Sequence, residues 1–181
     1  MKKQGLRFVM SLAAGMLLLL GACTTVDIGK APPLEAGASW GMLPFVNHTE
    51  TPQAGQRAGM IAESLLRSGS GIAVKRYPAR LDAESLFEPA ERKEADAALE
   101  WARGERLRYA LAGSVDEWRY KVGIDGEPAV GVTLQVIDVA SGEVIWSATG
   151  GGTGWSREAL SAVAQGMMRK LLAPVIAAAR P

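Results

Sequence analysis

Cysteine and histidine are almost missing from this 181-residue chain, which holds one of each, Cys23 and His48. A single thiol forms no internal disulfide and no thiolate metal cage, and one histidine cannot build a zinc site alone. Metal chemistry would need carboxylates only, and no cofactor is expected. A Ser-His-Asp set is not credible either, because His48 lies in the polar stretch Asn47-His48-Thr49-Glu50-Thr51-Pro52. His48 reads as a solvated loop histidine or, less readily, as a general base. Asn47-His48-Thr49 matches a glycosylation acceptor, a three-residue signal that is discounted. Long apolar runs are absent as well. Phe8 to Leu20 covers 13 residues, against about 20 for a membrane-crossing helix.

What this short run does supply is a secretory leader. Lys2, Lys3 and Arg7 precede it, and Leu20-Gly21-Ala22-Cys23 closes it as a bacterial lipobox. Cleavage before Cys23 would free its amine for an acyl chain such as palmitate and leave its thiol for a diacylglycerol. Several acyl chains anchor firmly, at about 0.8 kcal/mol per buried methylene. The bland readings of Cys23 are the end of an ordinary signal peptide and a buried thiol. Residue 24 is Thr, whereas an Asp there commonly retains bacterial lipoproteins in the inner membrane; the expected location is the periplasmic face of the outer membrane. The leader takes three basic residues and no acidic one, so the mature chain carries a formal −2 against +1 for the whole. That balance argues against nucleic-acid binding.

The chain divides into a signal peptide (1–22), a lipidated tether (23–39), one α/β domain (40–173) and a C-terminal tail (174–181). Thr24 to Ser39 is small, with Ala31-Pro32-Pro33 and Gly37 and no apolar periodicity, which reads as a tether of at most some 50 Å at about 3.1 Å per residue. Trp40 to Val46 is a short buried strand. Ala58, Ile61, Ala62, Leu65 and Leu66 mark one face of a helix from about Gln53 to Arg67, stopped by Gly69 and Gly71. Gly71 to Tyr77 gives a second strand, and residues 78 to 91 a variable loop. Glu91 to Arg103 is a helix with a small face at Ala95, Ala98, Leu99 and Ala102. Strands follow at Leu107 to Lys121, Ala129 to Val139 and Glu143 to Thr149, joined by an Asp125-Gly126 hairpin signal and Ala140-Ser141-Gly142. A last helix, N-capped by Ser156, carries Leu160, Val163, Ala164, Met167, Met168 and Leu171 on one face until Pro174. The order β-α-β-α-β-β-β-α predicts a mixed sheet with helices packed on it.

The glycines from Gly150 to Gly154 precede a helix but lack the Gly-Lys-Ser/Thr ending of a phosphate loop. They read instead as a flexible connector that projects Trp155. This residue lies outside the apolar stripe of the last helix, so it points to a lipid or partner contact, with core packing as the alternative. Trp40, Trp118 and Trp146 fall within strands and read as core, while Trp101 is open. Asp116, Glu117, Asp125, Glu127, Asp138 and Glu143 gather around the three-strand meander. Paired carboxylates could serve glycoside hydrolysis; the plainer reading is turn formation and solvated strand ends.

Leu43-Pro44-Phe45-Val46-Asn47-His48-Thr49, Ala54-Gly55, Leu65-Leu66-Arg67-Ser68-Gly69, Leu111-Ala112-Gly113-Ser114-Val115 and the segment Val136 to Ser147 resemble a superfamily of small periplasmic lipoproteins. It includes the curli-secretion lipoprotein, the activator lipoprotein of penicillin-binding proteins and the amino-terminal domain of TolB. Glu117 to Pro128 and Gly154 to Leu160 are most similar to the PelC family of outer-membrane lipoproteins in Pel exopolysaccharide export, a biofilm function. The resemblance implies a non-enzymatic homo-oligomeric ring, with Trp155 meeting lipid. It also implies an acidic path, with Asp125 and Glu127 foremost, that guides a cationic exopolysaccharide to a separate outer-membrane porin. No spare strands remain for a pore of the chain's own. An activator of a cell-wall synthase, or another envelope assembly lipoprotein, is the alternative; a carbohydrate-active enzyme is a more distant one.

Overall fold

Alternation of large apolar residues at Val130, Val132, Leu134 and Val136 with Gly131, Thr133, Gln135 and Ile137 produces the strand it predicts, and that strand lies inside the sheet. In the computed structural model, which describes residues 24–78, 89–123 and 126–180, it is β5 (Pro128–Asp138), with the first set buried and the second half-buried. Antiparallel partners flank it, β4 (Tyr109–Tyr120) on one side and β6 (Val144–Thr153) on the other. β2 (Trp40–Asn47) runs parallel to β4, and β3 (Val74–Arg76) parallel to β2. The parallel steps need crossovers, which α1 (Ala54–Ser70) and α2 (Pro89–Gly104) provide. The last helix is α3 (Leu160–Ala178). With β1 (Thr24–Ile28) the sheet has six strands in the order β1-β6-β5-β4-β2-β3, the mixed α/β fold expected.

One sheet face carries the main core. Trp40, Tyr109, Leu111, Val115, Trp118 and the β5 valines meet Leu65 and Leu66 of α1 and Met168, Leu171 and Leu172 of α3. α2 covers part of the other face, where Ala98 and Ala102 pack on Leu43, Leu107, Ala110 and Val139. Ala95, expected on that small face, stays exposed. Pro44 sits in an interior strand, where its missing N–H would leave a gap in the ladder. The register accordingly shifts between Met42 and Phe45.

Four local expectations are corrected. The tether is not free: Thr24 to Ile28 pair residue by residue with Gly152 to Ala148. The rest is strapped down by Gly29 N–H to Ser147 O (3.0 Å), Trp146 Nε1–H to Gly29 O (2.9 Å) and Glu35 N–H to Tyr109 Oη (3.2 Å). Backbone hydrogen bonding needs no apolar period, which is why none marks this strand. The glycine run is likewise no connector, because Gly150 to Gly152 lie in β6 between β1 and β5. A Cβ on Gly150 would stand 2.8 Å from Met167 Sδ and 3.2 Å from Val26 Cγ1, so the small residue lets helix and edge strand close on β6.

The third correction concerns α3, which runs through Pro174 to Ala178, and the stretch from 174 is no tail, since Val175, Ile176 and Ala179 are core. Proline removes one helical hydrogen bond, and the buried side chains beyond it, at roughly 1.5–3 kcal/mol each, offset the loss. The fourth is that Ser156 is not the N-cap. Its place is held by Ala159, and the free N–H of Leu160 donates to Tyr120 Oη at 3.1 Å. α1 ends at Gly71, in the left-handed region at φ 77°, and Gly69 lies within the helix. Most of the expected 78–91 loop lies outside the described residues.

Glu63 ties α1 to β3: its carboxylate accepts from Arg67 Nε at 2.9 Å and Arg76 Nε at 2.7 Å. Burial alone would raise its pKa; the two guanidiniums outweigh that and hold it below the ordinary value. A depressed carboxylate pKa contributes stability in full above the unfolded value, near pH 4.3, and loses it as pH falls through the folded one. Glu63→Gln should therefore cost roughly 1.5–3 kcal/mol near neutral pH, and its gap from wild type should narrow on acidification, read from urea midpoints across pH.

Candidate functional site

The register of the sheet brings the start of β1, the ends of β2, β4 and β6 and the start of β5 to one end. Tyr120 pairs with Pro128, Ala129 with Thr153, and Thr24 with Gly152. Trp155 stands at this end with its residue 57% exposed. Its loop is not slack. Trp155 N–H donates to Glu158 Oε2 at 2.9 Å, and Glu158 N–H returns to Trp155 O at 3.0 Å. Tyr120 Oη donates to Glu158 O at 3.2 Å, and Gly154 N–H bonds Pro128 O at 2.9 Å. Val26, Met60, Tyr120 and Val122 are further large apolar residues exposed on the elements that meet here, Val122 fully.

The single cysteine lies outside the described residues. The described chain begins at Thr24, at the end of the sheet that holds Trp155. Asp125 also lies outside the described residues. Glu127 is exposed beside Pro128, and its carbonyl accepts the Lys121 N–H at 2.8 Å. Trp155 and Glu127 thus share one end of the sheet.

The remaining carboxylates disperse into local pairs. Asp138 accepts N–H bonds from Ala140 at 3.0 Å and Ser141 at 3.2 Å and pairs with Arg108. Arg108, then the Ser141 amide, lowers its pKa. Asp138 therefore fixes a turn. Glu117 pairs with Arg119 at 3.0 Å, and Glu143 is exposed. Asp116 has a partner that spacing could not reveal, His48, with Nδ1 to Oδ1 at 2.9 Å. His48 follows the end of β2, and Asp116 lies on a polar stretch of sheet, where Thr133 Oγ1 is 3.3 Å from Asp116 and 3.1 Å from Thr149 Oγ1. Trp40, Trp118 and Trp146 are buried as expected, and Trp101 is half-buried, edge-on to Tyr77. Among the described residues no helix is long and apolar enough to cross a membrane.

No protein-family model and no curated protein matches the chain. Among solved structures, lipoprotein GNA1162 from Neisseria meningitidis has the same α/β fold, with a TM-score of 0.51 at 20% identity over 77% of this chain and 98% of that one. The architecture is therefore one that a lipoprotein also adopts. A PelC dodecamer from Paraburkholderia phytofirmans aligns with a TM-score of 0.73 at 44% identity, covering 88% of this chain and 100% of its own. A single-substitution variant of that dodecamer gives 0.72 at 45% identity, covering 84% and 97%. The chain belongs to the PelC family.

If Trp155 serves an external contact, Trp155→Ala should shift stability by no more than about 0.5 kcal/mol. Loss of a core tryptophan would cost about 3–5 kcal/mol. Urea unfolding of the two proteins separates these outcomes, and a large loss would return Trp155 to the core.

Proposed function

We propose that this chain is a subunit of a lipid-anchored ring at the periplasmic face of the outer membrane, where it guides a cationic exopolysaccharide of the Pel type to a separate porin. The observation that carries this reading is 44–45% identity, across nearly the whole described domain, to PelC proteins that are dodecamers. In a ring a heterologous contact repeats about one axis and closes without exposed ends. The role is positional, and no catalytic residue is assigned.

Position supports the membrane part of the proposal. Thr24 and Trp155 lie at one end of the sheet, so an acylated Cys23 and an exposed indole would meet the same surface. Indoles favour the bilayer interface because the ring is apolar while its N–H seeks water. A cell-wall synthase activator must reach across the periplasm. Here the expected leash is shortened further, since its first five described residues belong to β1. Mass spectrometry should find the mature amino terminus at an acylated Cys23, and native mass spectrometry should find a closed oligomer. An unmodified cysteine, or a strict monomer both in solution and on membranes, would overturn the reading.

The acidic path is assigned to Asp125 and Glu127. A field from repeated carboxylates acts within a Debye length of about 8 Å at physiological salt. It concentrates a cationic polymer without binding it tightly enough to stall it. Asp125→Asn keeps the turn preference and removes only charge. Asp125→Asn with Glu127→Gln should lower polymer secretion at unchanged protein level and ring assembly. Normal secretion would make both residues structural.

A further inference from the structure

Between α1, the end of β4 and the start of α3 runs an open groove of about 650 Å³, within the roughly 300–1,000 Å³ typical of ligand sites. Its floor is apolar, with Met60, Ile61, Trp118 and Leu160, and Arg57 and Arg119 stand along it. We propose that this groove binds a membrane phospholipid, one acyl chain lying along the apolar floor and the phosphate held by Arg57 and Arg119. The proposal rests on the reading that the end of the sheet bearing Thr24 and Trp155 faces the membrane.

Three observations lead to this occupant. The groove is continuous with that end, because Tyr120 lines it and also bonds Glu158 O and Leu160 N–H, the loop that carries Trp155. Met60 and Tyr120 are each about half exposed, and clustered exposed apolar surface of this kind marks a contact site. The charges fit as well. Arg57 forms no ion pair among the described residues, and Arg119, itself exposed, pairs only with the half-buried Glu117, a partner of the surface kind that contributes little. A guanidinium offers paired donors to phosphate oxygens. An apolar floor with cationic edges suits an amphiphile with an anionic head and repels a cationic polymer.

The test uses the acylated chain in vesicles of phosphatidylethanolamine and phosphatidylglycerol containing a phosphatidylglycerol with a photoreactive acyl chain. Labelled peptides are mapped by mass spectrometry, and the experiment is repeated in detergent micelles doped with the same lipid, where no bilayer orients the protein. Label is expected on the peptides holding Met60 and Leu160 in both settings. Arg57→Glu with Arg119→Glu should lower it about tenfold at an unchanged melting temperature. Equal labelling of this variant would reveal unspecific apolar partition and overturn the proposal.

Label on the Trp155 loop in vesicles, with the groove silent in both settings, would also overturn it while leaving the membrane-facing reading intact. Groove label in micelles, with Trp155→Ala without effect on vesicle docking, would sustain the lipid site and remove the membrane-facing reading. A silent groove together with loss of the oligomer in Met60→Glu would give the groove to a second copy of the chain. Stronger label in Cys23→Ser than in the acylated chain would give it to the chain's own acyl groups. Either result overturns the proposal.

Discussion

Backbone pairing between β1 and the glycine-rich end of β6 fixes where the described chain enters the sheet. A free leash would let a lipid-anchored domain turn in any direction over the membrane. Pairing of Thr24 with Gly152 places the start of the described chain at one end of the sheet, beside the loops that carry Trp155 and Val122. Glycines make this possible at close range: with no Cβ at Gly150, Val26 and Met167 approach β6 from the edge strand and the helix layer. Downstream, Ser39 O accepts N–H bonds from Arg108 and Tyr109, and Glu35 pairs with Arg108 at 2.8 Å. The segment before Trp40 is thus held from the membrane-proximal end of the proposed orientation to the opposite one.

Tyr120 connects this constraint to the exposed loop. Its hydroxyl caps α3 by accepting from Leu160 N–H and steadies the Trp155 turn by donating to Glu158 O. Held by Glu158 from both sides, the backbone at Trp155 is fixed before any contact forms. A contact made by a preorganised side chain loses little further conformational entropy. A slack glycine linker, as the sequence alone suggests, would have carried that entropic cost into every docking event. The exposed indole thus stands on a loop that is hydrogen-bonded on both sides.

Elements with a side-chain signature were legible in the sequence, and those held by the backbone were not. The stripe from Leu160 to Leu171 and the alternation from Val130 to Val136 marked their elements because burial selects side chains at the period of the backbone. β1 carries no such mark, since an edge strand satisfies its N–H and C=O groups whatever its side chains are. The continuation of α3 past Pro174 was hidden for a related reason: proline opposes a helix locally, while burial of Val175 and Ile176 is a tertiary gain. At the site, the exposure of Trp155 followed from its place outside any apolar stripe. The His48–Asp116 pair joins residues 68 positions apart, a proximity created by the parallel pairing of β2 with β4.

Charge at the shared end constrains how a polymer path could work. Of the carboxylates there, Asp116 is engaged with His48 and Glu117 with Arg119, and Arg57 adds positive charge nearby. Among the described residues Glu127 and Glu158 form no ion pair, and neither do Arg57, Lys121 and Arg157 at the same end, so one protomer offers little net negative field. Attraction for a cationic chain would then have to come from repetition: a ring that turns the same short loop toward a common axis sums its carboxylates while facing the arginine-edged groove elsewhere. Because screening confines each field to about 8 Å, the acidic lining and the arginines can share one end of the sheet without cancelling, provided they face different directions about the axis. In the proposed assembly, therefore, oligomerisation separates lipid-facing cation from polymer-facing anion, which a single subunit cannot do.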